Sequence, residues 1–245
     1  MVVMLERKFD QQLDDLKTEL LAMGGAVEKS VEQALYALVE RDDQTVNDVL
    51  KGGVEIDEWE IQVEEQTLTL LATHAPVAKD LRLLTTVLKI NDDLERINDQ
   101  SVNIAQRAAV LNKMPLLKPL IDIPGMADIA RGMVRDALDA FVRNDVNLAR
   151  IVGETDEKLD DFRDRIFREL VVFMTDSKDQ VDVVDRAIQL ILISRHFERI
   201  GDHASNIAEN VENKVKHLWA SETGPSSNKN EPPKIDNYFF TKLIY

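Results

Sequence analysis

The chain repeats itself. Laid over its own sequence at an offset of 103 residues, with no gap, Met23 falls on Met126, Val31 on Val134 and Ala34-Leu35 on Ala137-Leu138. Ala37 falls on Ala140, Asp42 on Asp145 and Asp57 on Asp160. The densest match comes later: Ile90, Glu95, Arg96, Ile97, Asp99, Asn103, Ile104 and Ala105 recur as Ile193, Glu198, Arg199, Ile200, Asp202, Asn206, Ile207 and Ala208. A duplication of this kind restricts the fold to one unit used twice. Two such units packed on each other are expected to be related by a pseudo-twofold axis.

The period of the apolar residues says what the unit is made of. From Ile193, the set Phe197, Ile200, Ala204, Ile207, Val211 and Val215 advances by three or four, the stripe of a helix that buries one face. Strand-type alternation matches nowhere at comparable length. Glycine (9) and proline (7) are scarce, so the helices run long. Breaks fall near Arg41-Asp42-Asp43, at Thr73-His74-Ala75-Pro76 and across Lys113–Gly125 with its three prolines. Two more fall near Arg143-Asn144-Asp145 and at Asp176-Ser177-Lys178-Asp179. The expectation is an all-α chain of two tandem three-helix bundles, over residues 1–114 and 115–218. Residues 219–245 have no counterpart in the repeat. Gly, Pro, Ser and Asn dominate Gly224 to Pro233, which reads as a disordered linker ahead of the apolar ends Tyr238-Phe239-Phe240 and Leu243-Ile244-Tyr245.

Composition narrows the function. With 30 Lys+Arg against 45 Asp+Glu, the formal charge is −15. Nonspecific binding to nucleic acid or anionic lipid needs a basic surface, so both are disfavoured and cationic partners, metal ions included, are favoured. The absence of cysteine removes disulfides, Fe–S clusters and Cys-zinc sites, and points any metal to oxygen ligands. No apolar run approaches the ~18–20 residues of a membrane span. The opening MVVMLERKFD has neither the apolar core nor the cleavage site of a secretory signal. A cytoplasmic protein without direct membrane insertion is expected.

The candidate chemistry sits on the third helix of each unit. At about 100° per residue, Glu198, Asp202 and Asn206 lie about 140°, 180° and 220° from Ile193, on a strip read as exposed and opposite the core. Glu95, Asp99 and Asn103 repeat it, with Asp92 one turn earlier. Exposed positions drift fastest after a duplication, yet these survive in both copies while buried Leu94 and Phe197 differ. Like charges four apart destabilise a bare helix, and a bound cation relieves them. On the second helix, Asp156 and Asp160 form another i, i+4 pair. In the first copy Asp57 remains, but Gly53 stands at the other position, with Glu55 and Glu58 nearby. Such oxygen sets suit Mg, Mn, Ca, Fe or Zn. An acidic first turn facing the helix dipole accounts for Asp156 almost as well. His196 and His203 point away from the carboxylates, and no phosphate loop, nucleophile elbow or zinc-protease motif occurs. The catalytic set is therefore empty. A carboxylate-bridged metalloenzyme and a purely structural bundle remain as alternatives to a binding protein.

The duplicated Glu95-Arg96-Ile97-Asn98-Asp99 and Glu198-Arg199-Ile200-Gly201-Asp202 resemble the PhoU family of phosphate-signalling regulators. Met23-Gly24-Gly25 with Val27-Glu28 resembles it too, as does the stretch from Pro76 through Asp80-Leu81-Arg82. The resemblance spans about residues 5 to 216. It implies a dimeric, non-enzymatic cytoplasmic adaptor, peripheral to the inner face of the membrane through protein partners. Such an adaptor restrains phosphate uptake and phosphate-starvation signalling by coupling the phosphate ABC transporter ATPase to a sensor histidine kinase. Members carry multinuclear metal clusters, iron in some. By that pattern Glu198, Asp202, Asp156 and Asp160 match in the second bundle, and Glu95, Asp99 and Asp57 in the first. Asp92, Asn103 and Asn206 stand as additional candidate ligands. Gly53 departs from the pattern, so the first site is expected either to be poorer or to use Asp92, Glu55 or Glu58 instead.

Overall fold

The computed structural model describes residues 2–176 and 180–223. Six helices follow one another: α1 (Val2–Val39), α2 (Asp43–His74), α3 (Ala78–Leu111), α4 (Asp122–Arg143), α5 (Val146–Asp176) and α6 (Gln180–Thr223). No strand occurs among the described residues. The expected breaks at 41–43, 73–76, 113–125 and 143–145 are the observed ones, with two shifts, while the fifth falls on 177–179, outside the described residues. The last four residues of the proline-rich stretch, Asp122 to Gly125, already belong to α4. Pro124 is tolerated there because the first-turn N–H groups have no helical acceptor to lose. At the other end α6 runs on to Thr223, past the expected boundary at 218. The expected linker at Gly224 to Pro233 and the aromatic terminus lie outside the described residues.

The repeat is visible in how the helices stop and restart. Arg41 and Asn144, at equivalent positions, both take positive φ (57° and 52°), and an acid follows each. Asp42 accepts from the backbone N–H of Gln44 (3.0 Å) and Thr45 (3.3 Å). Asp145 accepts from those of Asn147 (2.9 Å) and Leu148 (3.0 Å). Each acid satisfies orphan donors at the start of the second helix of its bundle. The linker is tied down from both sides. The Arg41 guanidinium donates to the carbonyls of Leu111 (3.1 Å), Asn112 (2.7 Å) and Met114. Lys118, nearly buried, pairs with Glu169 of α5.

Each bundle closes around its third helix: α3 packs on α1 and α2, and α6 on α4 and α5. The α6 stripe is buried from Ile193 through Phe197, Ile200, Ala204 and Ile207 to Val211. Val215 is half-buried. Each large apolar side chain of this kind stabilises by about 1.5–3 kcal/mol, so tertiary packing rather than intrinsic propensity holds helices this long. The bundles then meet through α3 against α6 and α1 against α4. At that seam His203 Nδ1 donates to Asp93 (3.0 Å), and His196 Nδ1 lies 2.8 Å from Gln100 Oε1. At the repeat offset Asp93 aligns with His196 and Gln100 with His203. The two contacts are therefore one contact seen from either side of a pseudo-twofold axis.

Candidate metal centre

Of the carboxylates read as an exposed strip, Asp99 and Asp202 are exposed and Glu95 and Glu198 are not. Glu95 and Glu198 are half-buried, at the seam where the third helix of each bundle meets the second. The single-helix reading failed because α6 is packed by α3, α4 and α5, and α3 by α1, α2 and α6. The buried arc is much wider than one stripe.

In the first bundle Asp57 of α2 joins Glu95 and Asp99 of α3, each offering one carboxylate oxygen within 4.8 Å of the others. The three are held together against their charge. Burial raises the Glu95 carboxyl above its ordinary range, and neighbouring Asp99 adds to this while Arg96 opposes it. Burial followed by Asp99 raises Asp57. Glu60, one turn along α2, is raised by burial and then by Glu64, Asp92 and Asp57. Such a set gains from any cation. Two oxygens on opposite sides of a hard ion, each at about 2.1–2.5 Å, stand roughly 4–5 Å apart, so the spacing fits one. Asn103 is half-buried one turn beyond Asp99. Asp92 and Asn206 line a groove between α3 and α6 with Lys89, Arg96 and His203, where Asn206 bonds Asp93 (3.4 Å). Asn206 faces the seam between bundles instead of the α5 carboxylates.

The second bundle gathers Asp156, Asp160, Glu198 and Asp202 but adds a cation of its own. Arg163 pairs with Asp160 (2.9 Å), Asp164 (2.9 Å) and Glu198. Its own pKa is still raised: burial opposes this, and its bonds to Asp164 and Glu198 prevail. Asp156 stays unpaired, pushed up to about 6 by burial and then by Asp202, Asp160 and Glu198. A metal ion here would compete with a guanidinium already in place. Sequence reasoning missed both Arg163 and Glu60, which occupy the same position of the repeat. One copy carries a base and the other an acid beside the cluster, and that mismatch was the available signal.

Gly53 also has a local reason. A Cβ there would meet Val102 Cγ2 at 2.8 Å, so α2 and α3 cross too closely for the aspartate that α5 carries as Asp156. Asn98 fills the gap, donating to the Gly53 carbonyl (3.3 Å) and accepting from Ser30 (3.2 Å). The second copy reverses the arrangement: Asp156 is on α5, and the glycine, Gly201, is on α6, where a Cβ would meet Asp156 Oδ1 at 3.0 Å and Leu159 at 2.2 Å. The departure at Gly53 is a relocated glycine. Asp57, Glu95 and Asp99 gather in the first bundle without an aspartate there.

A family model described as PhoU domain matches residues 20–108 and again 123–211, the two spans separated by the offset of the internal repeat. The chain is 38% identical over 210 residues to the phosphate-specific transport system accessory protein PhoU homolog of Pseudomonas putida, covering 84% of this chain and 80% of that protein. The homologue of the same name from Pseudomonas aeruginosa is 36% identical, with 84% and 85% covered. Among solved structures, PhoU from Pseudomonas aeruginosa superposes with a TM-score of 0.81 at 36% identity, covering 85% of this chain and 99% of that one. The phosphate transport system regulatory protein PhoU from Streptococcus pneumoniae gives 0.77 at 25% identity, covering 89% and 100%. These relatives are named as accessory or regulatory proteins of phosphate transport, not as enzymes. With the domain matched in both halves and the fold shared over nearly the whole of the solved chains, this chain belongs to the PhoU family.

Proposed function

We propose that the chain is a metal-binding, non-enzymatic adaptor that restrains phosphate uptake and phosphate-starvation signalling. It does so in the cytoplasm, as a homodimer, by coupling a phosphate ABC transporter ATPase to a sensor histidine kinase at the inner face of the membrane. The observation that carries the metal part of the reading is the convergence of Asp57, Glu95 and Asp99 from two helices. Together they would hold a hard divalent or trivalent ion, of iron, zinc, manganese or magnesium type. Bound there, the ion would supply the positive charge that lets α2 and α3 lie together with both acids ionised, fixing the helix pair that a partner reads. The four carboxylates of the second bundle form a second candidate site, which Arg163 already neutralises in part.

Family membership supports the phosphate role, and the printed names of the relatives agree with it. None of the motifs for nucleophilic or phosphate-loop chemistry occurs in the sequence, which favours an adaptor over a carboxylate-bridged metalloenzyme. In cells that encode the chain, deleting it should raise phosphate uptake and phosphate-starvation expression while phosphate is plentiful. Unchanged uptake and expression would contradict the adaptor role.

A further inference from the structure

Three large apolar side chains stand in the open on α2: Val54, Ile61 and Leu68, 58, 51 and 49% exposed. They recur every seven residues, which drifts only about 20° per step on a straight helix, so they form one stripe about 20 Å long. α2 packs on α1 and α3 and on no other described helix, leaving this face without a neighbour among the described residues.

The duplication supplies a control. At the equivalent positions α5 carries Glu157, Asp164 and Val171, the first two exposed acids. A bundle of this design folds with charge where α2 has Val54 and Ile61, so the bundle itself does not require the stripe.

Beyond Lys51, one turn before Val54, the charge along the stripe is one-sided. From Gly52 to Thr73, α2 carries Glu55, Asp57, Glu58, Glu60, Glu64 and Glu65 and no lysine or arginine. None of these six forms an ion pair among the described residues. The acids of α5, by contrast, stand among its own arginines, with Asp160 and Asp164 both paired. At spacings of three and four, Asp57 and Glu64 edge the apolar stripe on one side and Glu58 and Glu65 on the other. Glu55, Glu58 and Glu65 lie outside the candidate metal cluster, so a bound ion would leave that edge charged.

We propose that this face of α2 docks an amphipathic helix of a partner protein, apolar at heptad spacing and flanked by lysine or arginine. The proposal rests on the reading of the chain as a protein-binding adaptor and gives that adaptor one contact surface and the chemistry of what it reads. A second copy of the chain is the wrong occupant, because it would set six unpaired acids against the same six. Anionic lipid is excluded by the same repulsion.

The test uses the full chain and a synthetic 21-residue helix with leucine along one seam and lysine on both sides, followed by fluorescence anisotropy at physiological ionic strength. The variant is Val54→Glu with Ile61→Asp, which copies the residues of α5, with circular dichroism confirming its helix content. Losing two apolar contacts should weaken binding about tenfold or more. Attraction by charge alone predicts the opposite sign, since the variant adds two negative charges. Weaker binding supports the proposal; equal or tighter binding, or no binding to the unmodified chain, overturns it. Sedimentation of both proteins tests the other occupant: a dimer that the substitutions dissociate would place a second copy on the stripe and overturn the proposal. Failure on any of these counts leaves the adaptor role to the phosphate-uptake measurement, which makes no reference to α2.

Discussion

Gly52 and Gly53 are neighbours in α2 with opposite surroundings. A Cβ on Gly52 meets nothing within 4 Å, whereas one on Gly53 meets Val102 at 2.8 Å. Gly52→Ala should therefore raise stability by up to about 1 kcal/mol through helix propensity alone. Gly53→Ala should fall short of that by about 1–3 kcal/mol of overpacking, read as the difference between the two urea midpoints. Lys214 is the other residue whose setting decides its effect. Nearly buried on α6, it lies 4.4 Å over the Phe141 ring. Burial, with Lys17 and Lys79 adding to it, lowers its pKa to about 8. Leu111 holds the same position in the first copy. A lysine depressed in the folded state binds fewer protons there than when unfolded, so it costs stability at neutral pH, and the cost fades as pH rises from 8 towards its unfolded value. Lys214→Leu should stabilise at pH 7 by up to roughly 3 kcal/mol, with the gain shrinking above pH 8. A gain that is flat with pH would show that the ammonium is not the source.

At the scale of the helix, the sequence was most legible where local chemistry acts alone. Asp42 and Asp145 marked breaks in the repeat and prove to be the caps of α2 and α5. Asp145→Ala should lower stability by about 1 kcal/mol, measured by denaturant unfolding. The α6 stripe read from its spacing is the buried one, because period alone fixes which side chains share a face. What surrounds a helix on its other sides is not written in that helix. Glu95 and Glu198 were therefore placed opposite the core when they lie at a seam, and the close crossing of α2 and α3 that accounts for Gly53 could not be read. Arg163 was missed for the same reason: its partner Glu198 lies on another helix, 35 residues away. Arg163→Gln should free the second carboxylate set and raise the manganese stoichiometry above that of the unmodified chain, seen by titration calorimetry. An unchanged isotherm would show that the guanidinium does not hold the site closed.

Across the whole molecule, duplication has given two bundles of one fold and different surfaces. They share caps, core and the contact that joins them, Asp93 with His203 mirrored by Gln100 with His196. They differ at the seam beside the third helix, where Glu60 faces the first cluster and Arg163 the second. They differ again on the outer face of the second helix, where Val54 and Ile61 of α2 stand in place of the acids Glu157 and Asp164 of α5. The central claim is that the first bundle holds the cation. Its most direct test is the metal content per chain of protein purified without chelator, compared for the unmodified chain, Glu95→Gln/Asp99→Gln and Glu198→Gln/Asp202→Gln. The account predicts that metal is lost from the first variant and largely kept by the second. Equal metal in the unmodified chain and the Glu95/Asp99 variant, or loss confined to the Glu198/Asp202 variant, would contradict it.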